Sequence, residues 1–285
     1  MPPGAESILD IGGVRLAFCG CRSEDLPASF TAFASDGGGA VAGSYEVEVG
    51  ALHATRGQCL AENRAWRLHD DGDRLWWSGL GEPREHAMLT AALAPDWSQG
   101  VIHVHPEAPA KTRRAPVTSH LGELLLAVHL NRLGGLYVHA AAVAFAGDAY
   151  VLLGASGAGK STLAGLAADA GATVLSDDRT VLREEAGRLF AYGTPFHGTE
   201  RRFAQAKAPV RALVFLAHGA ANALTPFAGL GVAARLLSLC FCPFWSKAAV
   251  ERTIATVGRL SAMVTARKLA FLPQPAAVQC LLRAR

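Results

Sequence analysis

Gly154-Ala-Ser-Gly-Ala-Gly-Lys160-Ser161-Thr162 decides how this 285-residue chain is read. It fits the phosphate-binding pattern G-x-x-x-x-G-K-[ST] at every fixed position. An apolar run, Ala149-Tyr-Val-Leu-Leu153, precedes it and predicts a buried strand. Residues 161–170 come next and predict a helix. Strand, glycine loop and helix are the context the pattern needs. The glycines let backbone N–H groups turn inward around phosphate oxygens, and the helix N-terminus adds its partial positive charge. Gly154, Ala155, Ser156, Gly157, Ala158, Gly159, Lys160, Ser161 and Thr162 are therefore expected to bind a nucleotide. Lys160 would reach the β- and γ-phosphates and the Ser161 hydroxyl would sit on Mg²⁺. ATP and Mg²⁺ are the expected cofactors.

One helix further on comes Gly171-Ala-Thr-Val-Leu-Ser-Asp177-Asp178-Arg179. Gly171 is a helix stop, and residues 172–175 predict a short strand whose end delivers two carboxylates beside the loop. Adjacent strand residues point to opposite faces, so Asp177 and Asp178 take different roles while the strand is regular. One holds the metal, directly or through water, and the other faces an acceptor. Upstream, residues 136–145 predict a strand, and Gly147-Asp148 a tight turn into the strand that feeds the loop. That hairpin sets His139 beside the loop. Phosphoryl transfer needs charge neutralised on the γ-phosphate and a hydroxyl in line with it. Lys160, Mg²⁺ and loop amides supply the first; a carboxylate supplies a base that orients the second. The same parts fit an ATPase that positions only water.

The order His139, then GASGAGKST, then LSDDR resembles the catalytic core of HPr kinase/phosphorylase, and more remotely the ATP-dependent phosphoenolpyruvate carboxykinases. The likeness is strongest over residues 119–183. Within that family it is nearest to HPr-kinase-like proteins encoded with ribosomal peptide biosynthesis genes, some of them lasso-peptide kinases that phosphorylate a precursor serine. The stretches carrying this are Gly134-Gly-Leu-Tyr-Val-His-Ala140 and Gly193-Thr-Pro-Phe-His-Gly198. The resemblance implies Lys160 and Ser161 on phosphates and Mg²⁺, Asp177 as general base, Asp178 on or near the metal, and His139 facing the transferring phosphate. The two aspartates are interchangeable in that assignment. It also implies a serine-bearing peptide or protein as substrate and a homo-oligomer. The C-terminal signature that accompanies phosphorolysis in that family is missing, so neither phosphorolysis nor HPr as acceptor is implied. A small-metabolite hydroxyl kinase and a nucleotide sensor without transfer activity are the competing functions.

The expected fold class is α/β: an HPr-kinase-like P-loop domain with a mixed sheet over 119–285, preceded by a small β-rich α+β domain over 1–105. Pro106-Glu-Ala-Pro-Ala-Lys-Thr-Arg-Arg-Ala-Pro116 reads as a proline-rich, basic linker spanning 106–118. In the first domain, strand-like runs occupy 7–18, 45–52, 64–68, 74–77 and 101–105, with 88–93 helical. Asp70-Asp-Gly-Asp73 is a hairpin signal. Trp66, Trp76, Trp77 and Trp97 read as core. In the second domain, helices are expected over 120–133, 231–239, 247–264 and 275–285. Further strands are expected over 179–183, 188–192, 210–217 and 266–272.

Composition sets outer limits. A net charge of +3 is too small to argue for nucleic acid. Met1-Pro-Pro-Gly-Ala-Glu has neither a basic start nor an apolar core, so no signal peptide is expected. The apolar stretch 227–245 contains Arg235 and Pro243 and falls short of a membrane span; a buried helix and turn is expected, and a cytoplasmic protein. None of the six cysteines forms a C-x-x-C pair, and buried thiols are expected. His103-x-His105 would share one strand face without a third metal ligand. Lys111-Thr-Arg-Arg114 reads as a solvated connector. His197, Glu200, Arg201 and Arg202 either approach the acceptor or metal, or are exposed loop residues.

Overall fold

The computed structural model describes residues 5–36, 38–80 and 87–284. Residues 1–4 of the stretch read for a signal peptide lie outside them. The chain divides into two compact units, residues 1–129 and 130–285. The architecture is mixed α/β, with one large mixed sheet in each unit.

The first unit holds β1 (Ala5–Ile11), β2 (Val14–Cys19), α1 (Ala28–Thr31), β3 (Gly43–Val49), β4 (Gln58–Glu62), β5 (Trp66–Asp70), β6 (Leu75–Gly79), β7 (Leu89–Leu93), β8 (Gln99–Val104), α2 (Ala110–Arg114) and most of α3 (His120–Arg132). Its sheet order is β1-β2-β3-β8-β7-β6-β5-β4, with β3 parallel to both its neighbours. The run 7–18 is a hairpin rather than one strand. Gly12 and Gly13 turn it with positive φ of 61° and 76°, a conformation glycine adopts without steric cost. The Asp70–Asp73 signal does mark a hairpin between β5 and β6. There the Asp71 carboxylate accepts from the Asp73 and Arg74 amides and from Trp76 Nε1. All four named tryptophans are buried.

Other expectations also differ from the structure. Residues 88–93 carry strand β7, not a helix. β7 lies between β6 and β8 with every residue buried, and a short apolar run covered on both faces has no period that separates strand from helix. Residues 106–118 are not an extended linker. They form α2 and a 3₁₀ turn at Pro116–Thr118, with Ala108, Ala115, Pro116 and Val117 buried. The boundary between the units falls instead inside α3, between residues 129 and 130. The thiols are not uniformly buried: all six are free, Cys21 is buried and Cys59 is exposed.

The second unit holds β9 (Leu136–Phe145), β10 (Asp148–Leu153), α4 (Lys160–Asp169), β11 (Thr173–Ser176), β12 (Arg179–Glu185), β13 (Arg188–Tyr192), β14 (Lys207–His218), β15 (Ala223–Pro226), α5 (Leu230–Leu237), α6 (Lys247–Ala262), β16 (Thr265–Phe271) and α7 (Ala276–Leu281). The strand order is β10-β9-β12-β13-β14-β16-β15, with β11 added on β9 and β10 also paired in parallel with β14. The two longest strands, β9 and β14, each change partner along their length. β10 is buried on both faces. Val151 and Leu153 pack toward α5 and α6 through Val232, Leu236, Val257 and Leu260. Tyr150 and Leu152 pack toward α4 and α7 through Leu163, Ala167, Ala277 and Leu281. That alternation is the two-residue period of a strand, and it fixes the strand end from which the glycine loop leaves.

Among the described residues no helix is long and apolar enough to cross a membrane. The stretch 227–245 is only partly a buried helix: α5 buries Val232 and Leu236, while Leu230 and Phe244 are exposed.

Candidate functional site

β9 and β10 form an antiparallel hairpin in which Leu153 faces Ala140. The glycine loop therefore leaves β10 level with His139. Gly157 and Gly159 sit at φ of 79° and 91°, so the loop needs glycine at both places. A Cβ on Gly159 would also meet the Phe271 ring at 2.7 Å. Gly159 is the N-cap of α4 and supplies no side-chain cap, which leaves the first amides of that helix for an anion.

Lys160 opens α4 and is buried. Its Nζ folds back over the loop, donating to the Gly154 carbonyl at 2.9 Å, the Ala155 carbonyl at 3.2 Å and His139 Nε2 at 3.0 Å. All three acceptors are neutral when the imidazole is neutral. Burial lowers the lysine's pKa; Asp178 opposes that, and Arg179 adds to it. Ser161 is half-buried in the first turn of α4, and Thr162 is exposed.

His139 Nε2 faces the Lys160 ammonium, which only donates. The imidazole's Nδ1 lies 3.2 Å from Asp178 Oδ1. Asp178 Oδ2 accepts from Arg179 Nη1 at 2.6 Å. Arg179 Nη1 also lies against His139 Nδ1. These residues meet because Arg179 and His139 stand directly opposite each other on β12 and β9, where cross-strand side chains share a face. Burial alone would raise the Asp178 pKa. The His139 hydrogen bond and the charges of Arg179 and Lys160 outweigh it and hold the carboxyl below its ordinary range.

The two aspartates sit in a bend between β11 and β12 rather than on a regular strand. They still diverge. The Ser176 hydroxyl, fully buried, accepts from the Asp178 and Arg179 amides and shapes the bend. Asp178 faces His139 and Lys160. Asp177 is buried and faces the loop 193–202: its Oδ1 accepts from the Gly198 amide at 2.7 Å and its Oδ2 from the Arg202 amide at 3.3 Å. That loop wraps closely around the bend. A Cβ on Gly193 would lie 1.9 Å from the Ala204 carbonyl oxygen, and the Thr194 hydroxyl donates to the Arg179 carbonyl at 2.6 Å.

Of the loop residues left open by the sequence, His197 donates through Nδ1 to its neighbour's carbonyl and stacks on Phe203. Glu200 and Arg201 are exposed. The guanidinium of Arg202 packs against Gly165 of α4. His103 and His105 do not pair. His103 is buried against His53, with Glu48 3.4 Å away, while the His105 ring accepts the Glu107 amide beyond the strand end. Among the described residues no group of three or more His, Cys, Asp or Glu could hold a metal ion. Sequence reading missed Arg179 and Ser176 as members of the site. Only the strand register that sets Arg179 opposite His139 reveals the first.

A family model described as SynChlorMet cassette protein ScmC matches residues 117–270, more than half of the chain. No curated protein matches. Among solved structures, the HPr(Ser) kinase/phosphatase from Coxiella burnetii is similar over 52% of this chain and 93% of that one, at 14% identity and a TM-score of 0.30. A likeness of that size carries no weight for fold or function.

Proposed function

The chain belongs to the ScmC family, and we propose that it is a Mg·ATP-dependent kinase with an HPr-kinase-like P-loop domain, passing a γ-phosphoryl group to the serine hydroxyl of a peptide or protein. The observation that carries this is the linked row Lys160–His139–Asp178: a buried ammonium and a carboxylate joined through one imidazole. The P-loop lysine of such a site reaches the β- and γ-phosphates. A carboxylate one imidazole away supports a role for Asp178 in meeting an incoming hydroxyl.

The residues present fit a nucleotide. The loop is held open by two left-handed glycines, the first amides of α4 have no side-chain cap, and the buried ammonium has only neutral hydrogen-bond acceptors. A buried cation of that kind calls for an anion. Bound Mg·ATP would supply the phosphoryl group together with the metal charge that spreads its negative charge. Lys160 and the loop amides would hold the phosphates, and Ser161 the metal.

The direction in which each aspartate points supports different roles for the two. Asp178 orients the acceptor hydroxyl and takes its proton as the new O–P bond forms and the bond from the γ-phosphorus to ADP breaks. Its lowered pKa makes it a weak base. That suits a loose transition state, in which positioning matters more than early proton removal. His139 holds Asp178 and Lys160 at a fixed separation. Asp177, one of the two bases that the resemblance allows, anchors the loop 193–202 in this reading. A precursor peptide is the acceptor class that the motif resemblance implies.

The test is γ-labelled ATP with Mg²⁺ and an extract of the protein's own cells, with Asp178→Asn as control. Label entering a polypeptide only with the wild type supports the reading. Label in a small-molecule fraction would assign the protein to metabolite kinases. Retained nucleotide binding without any transfer would leave a sensor.

A further inference from the structure

Between α5 and α6 the chain runs Leu239-Cys-Phe-Cys-Pro-Phe-Trp245. Its start is stitched to the strand that bears His139. The His139 amide donates to the Leu239 carbonyl at 2.8 Å, and the Phe241 amide donates to the Tyr137 carbonyl at 2.8 Å. Val138 and Cys240 form a β-bridge between them. On its other edge this part of β9 pairs with β12, where Arg179 stands. His139 is thus flanked by Arg179 and Asp178 on one side and by this segment on the other. Burial, with Cys242 nearby, pushes the Cys240 thiol up to about 12, so it stays protonated and serves packing rather than chemistry.

Beyond Cys240 the segment turns aromatic. Trp245 meets Phe241 and Phe244 edge-to-face, with ring centroids 6.3 and 5.4 Å apart. Phe244 is 60% exposed. The segment carries no charged residue. Phe241 and Trp245 are half-buried, and a clustered aromatic surface of this kind suits recognition of an apolar side chain.

Direction selects the occupant. The ammonium of Lys160 marks the γ end of a bound nucleotide, and His139 touches that ammonium. A segment hydrogen-bonded to the His139 backbone therefore borders the γ end, where a phosphoryl acceptor arrives. We propose that Phe241, Phe244 and Trp245 form a docking ledge for the acceptor polypeptide, and that this acceptor carries an aromatic or large aliphatic side chain close to its phosphorylated serine. The ledge rests on the kinase reading given above. It makes selectivity a property of the α5–α6 connection and leaves chemistry to β9 and β12.

The experiment uses the full chain, γ-labelled ATP and a positional-scanning library of serine-centred peptides, with wild type compared with Phe244→Ser. Phe244 is exposed, and an unchanged thermal midpoint checks that the variant folds. Wild type should prefer Phe, Trp or Leu over Gly at one flanking position by about tenfold in kcat/KM, carried by KM. Phe244→Ser should erase that preference while its affinity for ADP stays the same. Flat selectivity in the wild type, or the same preference in the variant, overturns the ledge while leaving the kinase reading standing. Weaker ADP binding by Phe244→Ser would give the surface to the nucleotide base. A wild-type dimer that the variant breaks would give it to a second copy. Either result overturns the proposal. Failure to label any peptide, with ADP bound normally, removes the peptide acceptor itself and the ledge with it.

Discussion

The two sheets differ in how their polar side chains are gathered. In the first unit, hydrogen-bonded polar groups are scattered in small sets. Tyr45 donates its hydroxyl to the Trp97 carbonyl and also lies 2.9 Å from His129 Nε2, and Trp76 Nε1 meets the exposed Asp71. In the second unit, Lys160, His139, Asp178 and Arg179 converge on one strand end. With a neutral imidazole that group holds two positive charges against one negative. Buried pairs that satisfy each other serve packing. A convergent group with surplus positive charge costs stability, and such a group is expected where an anion binds.

The sharpest way to break this contrast is Lys160→Ala. It should lower phosphoryl transfer by about a thousandfold, the scale for losing one preorganised donor to a transition-state oxygen. Tyr45→Phe, in the other sheet, should leave kcat unchanged. Equal losses from the two would mean that the polar groups of the first unit also serve the reaction.

Next comes the aspartate pair. Asp178→Asn should cost about a hundredfold in kcat, because the amide cannot take the acceptor proton. Asp177→Asn should cost less than about tenfold, since its remaining oxygen can still accept the Gly198 amide that tethers the loop. Rates measured for both in parallel decide between them. The reverse order would return the base to Asp177.

A smaller effect separates function from stability. The pKa of Lys160 is lowered from 10.5 on folding. Its charged form therefore costs stability at every pH below the lowered value, and the cost fades as pH rises from there through 10.5. Lys160→Met should raise the thermal midpoint at neutral pH while abolishing transfer, and the gain should shrink as pH rises through that window. Asp178 has the opposite sign. Its carboxylate, held below 3.8, adds stability at neutral pH that is lost only as pH falls through the lowered value. Melting curves against pH for both variants check the two signs. The smallest effect belongs to Tyr45→Phe, about 1 kcal/mol in denaturant unfolding, because the Trp97 carbonyl would lose its buried donor.

The loop, the strands around it and the helix after it were legible because each carries a local signature. The glycines at 157 and 159 are demanded by backbone conformation, and β9 and β10 are long apolar runs bounded by a tight turn. Strand β7 was not legible, since a central strand and a buried helix share the same apolar run. The helix α2 was hidden by Pro106, Pro109 and Pro116, which mark turns at its ends but not the short helix between them. Asp177 and Asp178 looked equivalent in sequence because nothing local says which one meets the Gly198 amide more than twenty residues later.

By itself the sequence determined the glycine loop, the helix it opens and the closeness of a carboxylate pair. Those depend on residue types at fixed short spacing. Only the tertiary structure decided which carboxylate faces the lysine, that Arg179 stands opposite His139, and that an aromatic segment near residue 240 borders the same strand. Each of those is a pairing between segments distant in the chain, set by strand register and by the packing of α5 and α6 on the sheet. Register is a collective property of the whole sheet, and no short window of sequence carries it.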